Sequence, residues 1–291
     1  MPISTMTIMG TGTSVGVPMA GCECEVCLST NPKNHRYRSG VLVRAPRGNF
    51  LIDTGPELRL QLVREKIRWI HAVLFTHAHA DHILGLDDLR IFGFRLEHQA
   101  ADAAKEEAER AGLPFDEEQF LRQNPISIPL YCEEVVESSL RDVFSYAFAD
   151  PSKQSHRYAT PRLRFETIHH GSTFDMLGLP VTPIRLKHGE LPILGFRIGN
   201  VAFCTDVSTV PAESRDLLRN LDVLIIDALR YEPHPTHLSV DGALKVIRQL
   251  EPRQAYLTHM SHSLDYDKLC SELPSHVRPA FDGLEIEICR S

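Results

Sequence analysis

"FTHAHADHILGL", residues 75–86, places His77, His79, Asp81 and His82 within six positions directly after the apolar run 72–75. Stability gives no reason for this crowding, because imidazoles and carboxylates beside an apolar wall lose hydration and regain it only through partners. A divalent cation is the partner that suits all four. If residues 76–81 form a loop leaving a buried strand, His77 and His79 project to one side while Asp81 and His82 turn toward a second point nearby. That geometry suits two ions. Neutral imidazole and carboxylate ligate zinc, manganese or iron, and two ions roughly 3.5–4 Å apart can clamp the attacking and leaving oxygens of a displacement at phosphorus.

A binuclear centre needs more donors, and three later positions repeat the same context. His188 follows the apolar segment 181–186, Asp206 follows 201–204, and His259 follows 255–257. Taken singly, each has a competing reading as a turn, cap or core residue. Together they place donors at the ends of strand-like segments, where loops from neighbouring strands converge.

The rest of the chain reads as layered α/β. Short apolar segments at 5–9, 40–43, 50–52, 72–75, 181–186, 195–198, 201–204, 223–226 and 255–257 carry strand signals. Helical spacing covers 56–66, 101–111, 135–143 and 240–250, the last behind a Ser239 N-cap. Among 291 residues, 43% are hydrophobic and 24% charged, an ordinary globular balance for which disorder is not the default class and one domain over 1–291 is the simplest account. Residues 98–129 are charged, carry Pro114 and Pro125, and read as an inserted helical or lid segment.

A net charge of −7 supplies no basic footprint for long nucleic acid. The run MPISTMTIMGTGTSVG has no basic region before an apolar core, and no stretch approaches the roughly 18 apolar residues of a membrane span. A cytoplasmic protein with no membrane partner is the expectation. An odd count of seven cysteines speaks against a disulfide framework. Three of them, Cys22, Cys24 and Cys27, form C-x-C-x-x-C, a spacing short enough for one tetrahedral zinc with one further soft or borderline donor. His262, three residues after His259 in "THMSH", is the expected fourth ligand. Cys132, Cys204, Cys270 and Cys289 read as core residues. Gly10, Gly12 and Gly16 in "GTGTSVGVP" are spaced one residue too long for a dinucleotide fingerprint and read as a turn beside the cysteine loop.

"THAHADH", with Asp53 in "FLIDTG", His188 in "LKHGE", Asp206 in "FCTDVS" and His259 in "LTHMSH", resembles the metallo-β-lactamase superfamily over nearly the whole chain. The resemblance implies a four-layer αββα sandwich with metals at one edge of its sheets. It assigns His77, His79 and His188 to one metal, Asp81, His82 and His259 to the other, and Asp206 to both; Asp53 would orient a histidine ligand from behind. "GTGTSVGVPMAGCECEVC", "LTHMSHSLDYD" and "FDGLEIEI" further resemble the PhnP-like phosphodiesterases. That implies a Cys3His structural zinc, a homodimer, and hydrolysis of small or cyclic phosphodiesters by a metal-activated hydroxide. The same pattern suggests His237, in "HPTHLSVDG", as general acid, with His234 competing; Asp227, closing "DVLIID", either supports a histidine or caps a turn. Arg162 and Arg164, with Lys153 and Arg157, make residues 150–164 locally basic, which would admit a larger phosphate ester. Three other classes share much of this pattern: a transfer-RNA 3′-processing endonuclease of the RNase Z type, a thioester or lactone hydrolase, and a non-catalytic PqqB-like accessory protein.

Overall fold

Alternation along the early strands splits each of them between two cores. Val41 and Val43, Phe50 and Ile52, and Ala72 and Leu74 face one cluster, while Leu42, Leu51 and Val73 between them face another. A strand with both faces apolar is covered on both sides. The computed structural model of the protein, which describes residues 3–149 and 160–289, shows what covers them.

In chain order the first half holds β1 (Ser4–Gly10), β2 (Gly40–Ala45), β3 (Gly48–Ile52), α1 (Leu58–Arg64), β4 (Ala72–Leu74), α2 (Ala80–Ile83), α3 (Arg90–Ala111), α4 (Glu117–Gln123), β5 (Ile128–Cys132), α5 (Glu134–Val143) and β6 (Leu163–Thr167). The second half holds β7 (Phe174–Met176), β8 (Leu179–His188), β9 (Leu191–Ile198), β10 (Val201–Cys204), β11 (Val223–Asp227), α6 (Val240–Leu250), β12 (Gln254–Thr258), α7 (Tyr266–Glu272), β13 (Val277–Pro279) and β14 (Leu284–Ile288). Among the described residues these strands form two sheets of seven, ordered β14-β1-β2-β3-β4-β5-β6 and β13-β12-β11-β10-β9-β8-β7. The sheets share an apolar layer that includes Ile8, Phe50, Phe196 and Phe203. Leu58 of α1, Phe92 of α3 and Leu140 of α5 cover the outer face of the first sheet. Ala243 and Ile247 of α6 and Leu269 of α7 cover the second. This is the expected αββα sandwich.

The strand at 201–204 and the helix at 240–250 fall where the sequence puts them, and Ser239 Oγ accepts from Gly242 N at 3.2 Å. The charged segment differs in extent. Its helix begins at Arg90 rather than near 101, because Phe92 and Leu96 pack on the core and override the poor helix propensity of Gly93. Its last two residues, Ile128 and Pro129, belong to β5 and pair with β6. Lys153 and Arg157 lie outside the described residues. Arg162 and Arg164 are committed locally, to Glu97 at 3.2 Å and Glu166 at 3.1 Å. Cys132 and Cys204 are core residues as expected; Cys270 is half-buried and Cys289 exposed, because they sit at a helix end and beyond the last strand. No helix among the described residues is long and apolar enough to cross a membrane.

Candidate metal centre

Strand direction gathers the site. β3 and β4 run parallel, as do β10, β11 and β12, and β8 runs with β10 because β9 is antiparallel to both. Asp53, His77, His188, Asp206, Asp227 and His259 all end or closely follow these strands, so they emerge at one edge of the sandwich. Three of them leave the strand through a left-handed backbone: Asp53 at φ 64°, Asp206 at φ 57° and His259 at φ 57°. That conformation costs a residue with a Cβ roughly 1–2 kcal/mol, and it persists only where surrounding contacts over-determine it. It bends the chain sharply off the strand and turns each side chain into the edge.

Hydrogen bonds then fix which atoms face inward. Asp53 accepts from Thr76 N at 2.9 Å and Thr76 Oγ1 at 2.8 Å, and its Oδ2 lies 2.8 Å from His82 Nδ1. His82 therefore donates backward to Asp53 and presents Nε2 to the site. His77 Nδ1 lies 2.9 Å from Thr76 Oγ1, and His188 Nδ1 donates to the Thr236 carbonyl at 2.7 Å, with the same result. His259 Nε2 reaches Asp206 Oδ1 at 3.3 Å, while His82 Nε2 lies 3.3 Å from Asp81 Oδ2 and 3.2 Å from Asp206 Oδ2.

The donors fall into two groups that share Asp206. Ligand atoms of Asp81, His82, Asp206 and His259 lie within 4.8 Å of one another, as do those of His188, Asp206 and His237. The His77 ring lies 4.2 Å from that of His82 and 4.6 Å from that of His79, and His188 stands 5.8 and 5.1 Å from His77 and His79, so the expected His77, His79 and His188 are neighbours, while the donor set that contains His188 is completed by Asp206 and His237. Asp206 is the residue common to the two sets. Among the seven expected donors, His79 alone is exposed.

The donor set fits divalent cations. His77 Nε2, Asp81 Oδ2 and His82 Nε2 are buried and make no hydrogen bond within the protein, a costly arrangement unless a cation completes it. Burial holds His77 well below the ordinary imidazole range, and it lowers His79, His188 and His259 as well, which favours the neutral form that offers a lone pair to a cation. Burial would raise Asp206, but His259 and His82 outweigh it and keep the carboxylate ionised, well below its usual range. Burial would likewise lower His82, yet Asp206, Asp53 and Asp81 push it well upward. Three carboxylates around one imidazole demand positive charge, and a divalent ion supplies it while leaving Nε2 as a ligand.

Beside this edge, His237 Nδ1 lies 2.7 Å from Asp227 Oδ2. The His237 ring is 4.5 Å from His188 and stacks on His259 at 4.9 Å, whereas His234 lies behind it, 5.2 Å away. Asp227, open to two readings in the sequence, is thus the partner of His237, and its burial raises it well above the carboxylate range. Thr76, Thr205 and Thr236 were not anticipated. Thr76 and Thr205 adjoin the residues they orient, Thr205 Oγ1 donating to Asp206 at 2.6 Å, and that adjacency is the signal; Thr236 orients His188 from 48 positions away, which no local pattern marks.

The cysteine cluster sits on the next turn of chain. His262 Nδ1 is 3.3 Å from both Cys22 Sγ and Cys24 Sγ, and Cys27 completes a set whose donors lie within 4.8 Å. The contact with His262 lowers the Cys24 thiol to about 6, and burial raises Cys27 to about 11. Gly10 approaches the neighbouring segment so closely that a Cβ would lie 1.8 Å from the Arg38 carbonyl, which explains the glycine without a nucleotide.

A family model for a beta-lactamase superfamily domain matches residues 48–127 and 112–260. The chain belongs to the metallo-β-lactamase superfamily and is a hydrolase of that fold. Within it the chain is PhnP-like: a solved diphosphatase of the PhnP family is 36% identical, with a TM-score of 0.81 over 99% of this chain and 100% of that one. An octanoyltransferase of Porphyromonas gingivalis is 34% identical over 281 residues, 96% of this chain, which spans 50% of that relative's length. A ribonuclease Z of Borreliella burgdorferi is 24% identical over 269 residues, 80% of this chain and 82% of that one.

Proposed function

We propose that the protein is a phosphodiesterase of small substrates, cyclic phosphodiesters such as ribosyl 1,2-cyclic phosphate or 2′,3′-cyclic nucleotides among them. The observation that carries this is the His237–Asp227 pair at 2.7 Å beside the Asp206-centred donors. His77, His79 and His188 would hold one zinc or manganese ion, Asp81, His82 and His259 a second, with Asp206 shared; Cys22, Cys24, Cys27 and His262 would hold a structural zinc. Divalent ions in such a centre polarise phosphoryl oxygens and acidify water. The chain supplies the remainder. Asp53 and Thr236 lock two ligand rings, and Asp227 fixes His237 through Nδ1 so that Nε2 carries a proton to the departing alkoxide. Asp81 and Asp206 keep negative charge beside the reacting edge and would hold the divalent ions there.

The PhnP-family neighbour is named a diphosphatase, which brings diphosphate esters into the same substrate panel. Against a transfer-RNA substrate stands the acidity of the arm at residues 102–118, where Asp102, Glu106, Glu107, Glu109, Asp116, Glu117 and Glu118 outnumber Lys105 and Arg110. Octanoyl transfer is the name of a protein twice the matched span, and an acyl thioester in the panel addresses it. Metal analysis of the purified protein coupled to this panel is the test. About three metals per chain with diester turnover is expected; one metal and no turnover would overturn the proposal, and full loading without turnover would favour an accessory role.

A further inference from the structure

The edge opens to solvent along a short row of side chains. Asp227 is fully buried, the His237 side chain is 11% exposed, and His234, whose ring lies 5.2 Å beyond that of His237 as seen from the donors, is half-buried. His234 stands on a braced turn. Arg230 Nε and Nη2 donate to the carbonyls of Glu232 and Pro233 at 3.3 and 3.0 Å, and the Thr236 carbonyl receives His188 Nδ1 at 2.7 Å. Within that turn, His234 Nδ1 accepts from Thr236 N at 3.3 Å and lies 3.2 Å from Thr236 Oγ1.

A backbone N–H only donates, so the hydrogen of a neutral His234 ring sits on Nε2. Burial lowers His234, with His237, Arg230 and His188 acting in the same direction, and this favours the neutral form. Its Nε2–H makes no hydrogen bond among the described residues. A braced ring thus holds out an unused donor one place beyond the residue proposed to protonate the leaving group.

Whatever is attached to the departing oxygen extends outward past His237. Two imidazoles with centroids 5.2 Å apart suit oxygens on adjacent carbons of one molecule, each met at about 2.8 Å. We infer that His234 is a specificity-determining residue: it donates Nε2–H to an oxygen on the carbon next to the one that bears the leaving oxygen, and so selects esters of polyols and sugars over those of simple alcohols. This rests on the phosphodiesterase reading and leaves proton transfer to His237. A site built to hydrogen-bond a substrate hydroxyl discriminates against the analogue that lacks it.

Glycerol 1,2-cyclic phosphate and propane-1,2-diol cyclic phosphate, which differ by one hydroxyl, test the contact apart from acid catalysis. The metal-loaded full chain should favour the glycerol ester about tenfold in kcat/KM. His234→Asn keeps an acceptor for Thr236 N but has no donor in place of Nε2. It should retain the metal content of the parent and bring the two esters to within about twofold of each other, chiefly through KM, because the contact is made before the bond breaks as well as during it. Proton–nitrogen correlation spectra of the histidine side chains in the zinc-loaded protein should show His234 as the Nε2–H tautomer. Equal use of both esters by the parent, an Asn variant that keeps the preference, a fall in kcat shared by both esters, or the Nδ1–H tautomer would each overturn this inference alone, as would turnover of other diesters with neither probe accepted. No turnover of any diester by the metal-loaded protein would remove the phosphodiesterase reading and this inference together.

Discussion

The histidine–aspartate centre draws donors from positions 77 to 259, whereas three of the four cysteine-cluster donors lie between 22 and 27. In the first, strand ends deliver the side chains. Every ring with a hydrogen-bonded Nδ1, in His77, His82, His188 and His237, is backed by a threonine or a carboxylate. In the second, no sheet delivers the cysteines, Cys22 and Cys24 are only half-buried, and the loop has a small apolar cluster of its own around Val17, Val26 and Cys27. A fold holds the first group in place; the second group, with the zinc proposed for it, would hold a piece of the fold in place.

The two meet in a single loop. His259 faces the centre and His262 the cysteines, while Met260 N donates to the Thr11 carbonyl at 2.8 Å and Thr13 N to the Met260 carbonyl at 3.3 Å. Arg36, almost fully buried, donates to the carbonyls of Ser261 at 2.8 Å and Leu264 at 2.6 Å. The cysteine cluster thus sits on the support of one ligand of the other centre.

Removing Asp206, the proposed shared ligand, should have the largest effect. Asp206→Ala is expected to cut diester turnover by at least about 10³-fold, more than the 10–100-fold typical of removing a ligand's outer partner, with loss of the ions around it by metal analysis. Next comes His237→Ala, which should keep every metal and lower kcat by about 10²–10³-fold; full rate in this variant would remove His237 from proton transfer. Asp53→Asn frees His82 to rotate and should weaken metal affinity about 10–100-fold, read by competition with a chelator. The smallest effect on rate belongs to Cys24→Ala. It should lose one zinc and lower the melting temperature, yet reduce turnover only about tenfold, through the loop that carries His259. If Cys24→Ala abolished activity outright while Asp53→Asn did nothing, the division between a held centre and a holding one would be wrong.

Residue spacing made much of this legible. H-x-H-x-D-H after an apolar run reads as a metal motif because few other arrangements tolerate so many polar groups beside a buried strand, and C-x-C-x-x-C reads as a second because three thiols within six residues suit one ion. β5, with a proline inside it, and the short or alternating β6, β7, β13 and β14 lacked a strong apolar run and were not foreseen. The start of α3 was missed because packing of Phe92 decides it.

Sequence alone determined the chemical types of the donors, the layered α/β class and the two metal-binding motifs, since these are written in local patterns of charge and apolarity. Only the tertiary structure decided that Asp206 is common to two donor sets, that Asp227 partners His237 rather than capping a turn, and that Thr76 and Thr236 aim the ligand rings. Those relations join residues up to 182 positions apart, from His77 to His259, and depend on strand direction and left-handed turns that no short window of sequence encodes.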